Sequence, residues 1–563
     1  MPEPFVAPRR KTLELAAAFA LITIATCIAD APIFGNRFVN WDDQDTLYRN
    51  PDFNPPALSK LATYWSRPHG RIYIPVTYTF WWGLTEMSWT AAGLQPAVFH
   101  AASVALHVAA ACLAMVILLR LTDNLPASCA GALLFALHPV QVEAVAWASG
   151  AKDLLAGAMS LAAIALCLRR RRAVTPRTRR LWIAAATLAF MLAMLAKPSA
   201  IVVPLMALPI EWLIDRKLPR DMLMIAGAWL LLTVPTVLIA HRSQPAEKWT
   251  PPAVWKGPLV AADSVGFYLK QVIFPRRMAI DYGRSPDVAL RSPWGNVILA
   301  AALAAAAVLL LRRTPVLAAG LLIALAALMP YLGMISFDFQ INSTVTDHYL
   351  YLAMLGPAVV VAYFLRDAAK PMWVVAGAIL LALAIGSFRQ ARTWRDSSTL
   401  FAHALDVNPD SFVAHHTLGF LLAERGDFGD AETEYHAALR LRPGDAEANF
   451  NLANLLSAQN RVPDALEYYQ RALEAAPRDT RKINNFAIAL ARLGRSKEAE
   501  ALLRSALQLD GACADLLHAN LGNLLLSQGH REAAQEEFLR ALELDPNSSV
   551  ARNGLARIAA TQK

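Results

Sequence analysis

Three short stretches of this chain gather side chains able to move a proton or hold an anion. The first is Trp41-Asp42-Asp43, just after an N-terminal apolar run and followed by Trp65, Arg67, Arg71, Tyr73 and Phe80-Trp81-Trp82. A carboxylate can accept a hydroxyl proton, and two together offer the oxygen ligands that Mg or Mn ions take. Acids among Trp and Tyr suit carbohydrate chemistry, because aromatic faces pack on sugar rings. The same aromatics would also serve as an interfacial belt at a membrane surface.

The second stretch runs from His138 to Asp153 and holds Glu143, Trp147, Ser149, Lys152 and Asp153 between two apolar runs. Ionisable groups near membrane depth are costly and face a cavity or a partner. Lys152 and Asp153 could pair with one another. Lys197 ends a later apolar run, with Pro198 marking the break. The third group is Arg276-Arg277 with Tyr282, and Asp347-His348-Tyr349. Cations on the outer side run against the usual inward bias of Lys and Arg, and a lipid phosphate would supply a reason for them. A histidine at a helix start, such as His348, also serves as an ordinary cap.

These groups need elements to hold them, and hydropathy indicates which. The chain of 563 residues is 56% hydrophobic and 17% charged. Apolar runs near 12–34, 94–120, 125–140, 152–168, 181–196, 199–214, 222–240, 294–311, 316–335, 347–365 and 371–388 make about eleven crossings of bilayer length. The run Phe267 to Phe274 is too short to cross and reads as an outer-surface or re-entrant element. The N-terminal run is expected to stay as a span rather than be cleaved as a signal. The net charge of +9 sits largely in clusters that cap these runs, such as Arg169 to Arg172 and Arg216 to Arg220. Topology therefore accounts for the surplus, and nucleic acid is set aside as a partner. With those clusters inside, the N-terminus is inside and the C-terminus outside. The loops 35–93, 138–153, 241–293 and 336–346 then carry the polar groups on one outer side. Cys27, Cys112, Cys129, Cys167 and Cys513 show no framework of disulfide or metal spacing.

From about Arg389 the pattern turns amphipathic and periodic. Phe401, Tyr435, Tyr469, Leu503 and Phe538 recur at spacings of 34, 34, 34 and 35, each followed three residues later by alanine. Pro409, Pro443, Pro477, Gly511 and Pro546 close each unit. That is the tetratricopeptide signature, in which small residues let two helices approach and an aromatic fills the gap. Four repeats fit, with 389–409 as a partial one. Asn451, Asn454, Asn484, Asn485, Asn520 and Asn523 lie on first helices, either holding a peptide backbone or simply solvated. The expected fold is all-α: a polytopic membrane bundle over 1–388 and a repeat solenoid over 389–563.

The WDD loop, HPVQVEAVAWASGAKDLLAG, LAKPSAIVVPL, YLKQVIFPRRMAIDY and DHYLYLAMLG precede the repeats in one order. In this the chain resembles bacterial relatives of the transmembrane and tetratricopeptide-repeat O-mannosyltransferases, which are GT-C class glycosyltransferases. The resemblance implies a transfer of a monosaccharide from a polyprenyl-phosphate donor to a Ser or Thr hydroxyl of an exported protein. It implies catalytic acids at Asp42 and Asp43, with Glu143 as a further catalytic acid; either aspartate could be the base, with Asp43 only slightly favoured. Donor phosphate binding would fall to Lys152, Lys197, Arg276, Arg277, His348 and Tyr349. Where the family commonly has Asp-Arg-Tyr, this chain has Asp347-His348-Tyr349. A divalent cation, if any, would sit on Asp42 and Asp43. The implied location is the cytoplasmic membrane, with the repeats on the periplasmic side presenting a protein acceptor. The competing reading is a non-catalytic, membrane-anchored scaffold for envelope proteins.

Overall fold

The structure is a computed structural model describing residues 7–69, 72–243, 256–291, 294–310, 313–333, 338–509 and 513–560. Arg71 and Gly511, and parts of the loops 241–293 and 336–346, lie outside the described residues. The chain divides into two compact units, Met1–Asn408 and Pro409–Lys563.

The first unit is helical: α1 Ala7–Ala29, α2 Pro75–Ser88, α3 Pro96–Thr122, α4 Leu125–Leu137, α5 Val142–Ala146, α6 Ala151–Arg169, α7 Pro176–Ala196, α8 Val203–Asp215, α9 Arg220–Ser243, α10 Gly257–Ile273, α11 Trp294–Leu310, α12 Pro315–Leu328, α13 Leu355–Arg366, α14 Lys370–Thr393 and α15 Ser397–Val407. Local chemistry sets many of the starts. Pro96, Pro176 and Pro315 open their helices at the position where a missing N–H costs nothing. Asn124 and Thr175 accept the free N–H groups of Ala127 and Thr178. The only strands among the described residues, Trp89–Thr90 and Gly93–Leu94, make a two-residue hairpin.

The expected crossings resolve into three kinds. Seven helices are long and apolar enough to span a membrane: Lys11–Ala29, Pro96–Thr122, Ala148–Arg172, Pro176–Ala196, Pro198–Asp215, Arg220–Ile239 and Lys370–Thr393. Leu125–Leu137 and Pro139–Ala146 form one pair bent by 52°. Trp294–Ala306, Pro315–Tyr331 and Leu355–Arg366 are shorter apolar helices. The expected span 347–365 is thus corrected. Its first residues form a 3-10 turn, Asp347–Leu350, and only 12 residues remain in α13. At about 1.5 Å per residue that helix rises roughly 18 Å, short of the roughly 30 Å hydrocarbon core. The stretch Phe267 to Phe274 is also more than a short surface element, since it finishes the 17-residue helix α10.

Small residues bring the helices together. α12 packs on α13 where Gly320 and Gly356 meet backbone to backbone, so that a Cβ on Gly320 would come within 2.9 Å of the Gly356 carbonyl. α6 lies between α3 and α7, and a Cβ on its Gly157 would strike the Tyr351 ring. At the far end from the carboxylates, Arg170 is buried against Glu211 and reaches Asp221 at 3.0 Å, while Arg171 bonds Glu211 at 2.8 Å. This ties the ends of α6, α8 and α9.

The unit boundary falls after Asn408 rather than Phe388. α14 continues to Thr393, and the segment expected as a partial repeat packs with the first unit through fully buried Trp394 and Phe401. Four helix pairs follow in the second unit: Phe412–Arg425 with Phe428–Leu441, Ala446–Ala458 with Val462–Ala475, Thr480–Arg492 with Ser496–Ala506, and Ala514–Ser527 with Arg531–Leu544, then Ser549–Ala560. The aromatic-plus-alanine pattern is the core: Tyr435, Tyr469, Leu503 and Phe538 are buried, as are Ala438, Ala472, Ala506 and Ala541. Gly419 and Gly522 leave room for those rings, a Cβ there reaching within 2.9 and 2.8 Å of Tyr435 and Phe538. Turns within the pairs pass through the left-handed region at Gly426, Asn460, Gly494 and Gly529, where only Gly or Asn fits cheaply.

Candidate functional site

The loop after α1 is pinned before it reaches the acids. The Asn36 amide donates to the Ala391 carbonyl at 3.2 Å, and the Asn40 N–H donates to Ser397 Oγ at 2.9 Å. Trp41 packs edge-on against Phe339 and Phe401, and its carbonyl accepts the Trp147 indole N–H at 2.6 Å. The two stretches that carry Trp41 and Trp147 are therefore one structure.

The two aspartates meet different fates. Asp43 is fully buried. Its Oδ1 accepts the Ser149 N–H at 2.8 Å and the Ser149 hydroxyl at 2.6 Å, and its Oδ2 accepts the Val39 N–H at 3.1 Å. Burial pushes its carboxyl up to about 7, against the opposing pull of the bonds from Ser149 and Val39, with the Asp42 charge adding to the rise. Asp42 is exposed, and its φ of 66° is left-handed. Its carbonyl accepts from Thr46, whereas its carboxylate has no hydrogen-bond partner among the described residues. Strained, unpaired side chains of this kind concentrate at functional positions. Asp43 is thus enclosed by three protein donors, and the Asp42 carboxylate is the open one of the pair.

Lys152 faces the pair. Its ammonium lies 4.4 Å from the Trp147 ring centre and within electrostatic range of Asp42, Asp43, Asp153 and Lys197. It does not pair with Asp153 as its neighbour might. Asp153 instead bonds Lys197 across α6 and the turn after α7, and Lys197 sits 5.3 and 5.9 Å from the stacked rings of Tyr331 and Tyr349.

Glu143 closes the network from the other side. Its Oε2 accepts the backbone N–H groups of Asp347 and His348 at 2.9 and 3.3 Å, and its Oε1 lies 2.7 Å from His348 Nδ1. Asp347 accepts the Tyr282 hydroxyl at 2.8 Å, and Gln271 donates to that hydroxyl at 3.0 Å. Asp153, Lys197, Tyr331, His348 and Tyr349 line a small cavity beside this network, of about 20 Å³. That is room for roughly one water, so a phosphate would enter only as these side chains move.

The structure thus joins Asp42, Asp43, Glu143, Lys152, Lys197, His348 and Tyr349 into one polar network. It does not join Arg276 and Arg277, which are exposed beyond the end of α10 without a hydrogen bond or ion pair among the described residues. Ser149, Asp153, Asp347 and Tyr282 lie in the stretches the sequence marks, but the buried contacts that place them in the network are long-range in sequence and leave no local signal. Among the described residues no group of three or more His, Cys, Asp or Glu side chains is arranged to hold a metal. Both Asp43 oxygens are already engaged, leaving only the Asp42 carboxylate of that pair open to a cation.

Residues 416–480, 481–509 and 516–548 match models of the tetratricopeptide repeat. Over 446 residues, 75% of the chain, the sequence is 23% identical to a protein O-mannosyl-transferase of Caenorhabditis elegans. Over 154 residues, 26% of the chain, it is 30% identical to a protein O-mannosyl-transferase of Homo sapiens. The chain is similar to protein O-mannosyl-transferases. It spans 61% of the length of the first relative and 17% of the second. Among solved structures, a tetratricopeptide-repeat protein with an unusual peptide-binding site aligns with 34% of this chain and 93% of its own, at 20% identity and a TM-score of 0.26. The resemblance drawn from the ordered motifs is thus met by relatives of that name, and the periodicity by the repeat models.

Proposed function

We propose that this chain is a membrane glycosyltransferase that moves a monosaccharide from a polyprenyl-phosphate donor to a Ser or Thr hydroxyl of an exported protein. The observation that carries the reading is Asp42: an unpaired, exposed carboxylate on a strained backbone, anchored by its buried neighbour and facing Lys152. Mannose is the sugar indicated by the names of the relatives.

In this reaction Asp42 takes the proton of the acceptor hydroxyl as its oxygen bonds to the anomeric carbon. The bond from that carbon to the phosphate oxygen breaks, and polyprenyl phosphate leaves with one more negative charge than the donor phosphodiester carried. Lys152 offsets that developing charge, where a preplaced cation contributes most. Lys197, held by Asp153, extends the positive rim, and Glu143 fixes the His348 imidazole beside it. Arg276 and Arg277 would meet the donor further out. The polyprenyl chain has a fitting place in the apolar groove of about 270 Å³ lined by Tyr268, Leu269, Val272, Leu350, Ala353 and Pro357, beside the Asp347–Leu350 turn. The orientation that suits this chemistry has the N-terminus inside the cytoplasmic membrane and the repeats on the periplasmic side, where they would bind the acceptor.

The test is transfer in proteoliposomes from polyprenyl-phosphate-mannose to a Ser/Thr peptide, read by peptide mass. A gain of one hexose that needs Asp42 supports the reading. Unchanged exported-protein masses in cells with and without the gene, together with inactive proteoliposomes, would leave the scaffold reading in its place.

A further inference from the structure

At the outer end of α14 the chain carries three arginines one helical turn apart, Arg389, Arg392 and Arg395. Spacing of three puts them on one side of the chain. Arg395 is committed, donating to Asp396 at 3.1 Å and to Thr399 at 3.4 Å. Arg389 and Arg392 are exposed, and their guanidinium groups make no ion pair, hydrogen bond or ring contact among the described residues. With Pro32, Gly35, Asn36, Thr393 and Thr399 these arginines line an open pocket of about 600 Å³. It is shaped by the turn Ala31–Gly35, which the Asn36 bond to Ala391 holds against α14.

The depth of this pocket in a bilayer follows from the helix. α14 is nearly unburied along its apolar length, so its sides face lipid. Arg389 lies 19 residues after Lys370, or about 28 Å along the axis, and Arg392 about 33 Å. With Lys370 at one boundary of a roughly 30 Å core, these arginines stand at the other, just beyond exposed Ile385 and Phe388. This is the end of the helix that anchors the Asp42 loop, so the pocket belongs to the side of the membrane that holds the carboxylates. Two unpaired guanidiniums one turn apart, at phosphate depth, match the bidentate demands of a phosphate group.

We propose that this pocket binds the phosphate of an anionic membrane lipid in the outer leaflet, separately from the transferase site. The headgroup sits between Arg389 and Arg392 with Asn36 and Thr399 at its edge, and the acyl chains run down the exposed face of α14. A soluble acidic peptide would have no use for that apolar face, which is why a lipid is the better match.

The experiment compares the full-length protein with the Arg389→Gln/Arg392→Gln double variant in neutral phosphatidylcholine nanodiscs. Phosphatidylglycerol is titrated in, and bound lipid is counted by native mass spectrometry. Wild type should retain phosphatidylglycerol roughly 30-fold more tightly than the double variant, given the contribution of two basic side chains at a charged membrane surface. The Arg389→Lys/Arg392→Lys variant should recover part of that, which separates charge from misfolding. Equal retention by wild type and a well-folded glutamine variant would overturn the proposal. So would inorganic phosphate or a soluble acidic peptide competing as effectively as the lipid, since either would assign the pocket to another ligand.

Discussion

Replacing Asp42 and Asp43 one at a time should produce opposite failures. Asp42→Asn removes a carboxylate that no protein donor holds, so no hydrogen bond is broken, although Lys152 loses a facing negative charge. Asparagine is also among the residues that tolerate a left-handed backbone best. Stability should stay within about 0.5 kcal/mol of wild type, as for surface changes without a buried partner. Activity should not survive: losing a general base costs about 10²- to 10⁴-fold, or roughly 3–5 kcal/mol of barrier. Asp43→Asn works the other way. Its side-chain oxygen can still accept from Ser149, but its amide N–H groups then face the Val39 N–H, donor against donor, in a fully buried place. Such a conflict costs about 1–3 kcal/mol, and the loop that carries Asp42 loosens with it. The assay is kcat for peptide mannosylation in proteoliposomes beside the detergent-solubilised Tm of each variant. Wild-type turnover by Asp42→Asn, or a larger Tm loss in Asp42→Asn than in Asp43→Asn, would refute the division of labour.

Further outcomes are expected elsewhere. Because Asp43 holds its proton up to about pH 7 when folded and releases it near the ordinary carboxylate range when unfolded, the folded state binds more protons between about pH 4 and 7. Its contribution to stability therefore falls as pH rises through that window. The difference in Tm between wild type and Asp43→Asn should change with pH over that range, and Ser149→Ala should carry the change to higher pH by removing the hydroxyl bond that favours the carboxylate. Glu211→Ala leaves buried Arg170 with Asp221 as its remaining carboxylate and should cost about 1–3 kcal/mol; Arg170→Leu added to it should restore part of the lost Tm. Deleting residues 409–563 should leave transfer to a short peptide near the wild-type kcat while raising KM for a protein acceptor, measured with both acceptors in the same proteoliposomes.

The repeat unit was almost wholly legible. Its core positions recur at a fixed spacing because each helix pair contacts only its neighbours, so Tyr435, Ala438 and Gly419 announce their contacts locally. What was not legible there is the use of the amides: Asn485 donates to Asn454, Asn520 to Asn484, and Asn451 meets His416, a chain of contacts between successive pairs that composition alone does not order.

For the first unit, the sequence by itself determined the helical class and the seven apolar helices long enough to cross a bilayer, because bilayer thickness imposes a length that hydropathy displays directly; it did not separate them from four shorter or bent apolar runs, which also read as crossings. It also determined which short stretches hold acids and cations. The division of those charges into working and structural groups was decided only by tertiary structure. Nothing local distinguishes Asp42 from Asp43; one is exposed and the other buried because Ser149, 106 residues away, supplies two donors to Asp43. Lys152 turned from its neighbour Asp153 because Lys197 arrives from another helix. The expected tenth span became a turn and a short helix because Glu143 holds the Asp347 and His348 amides. In each case a buried charge must find a partner, and where that partner lies along the chain is set by how the helices pack rather than by any pattern in the sequence around it.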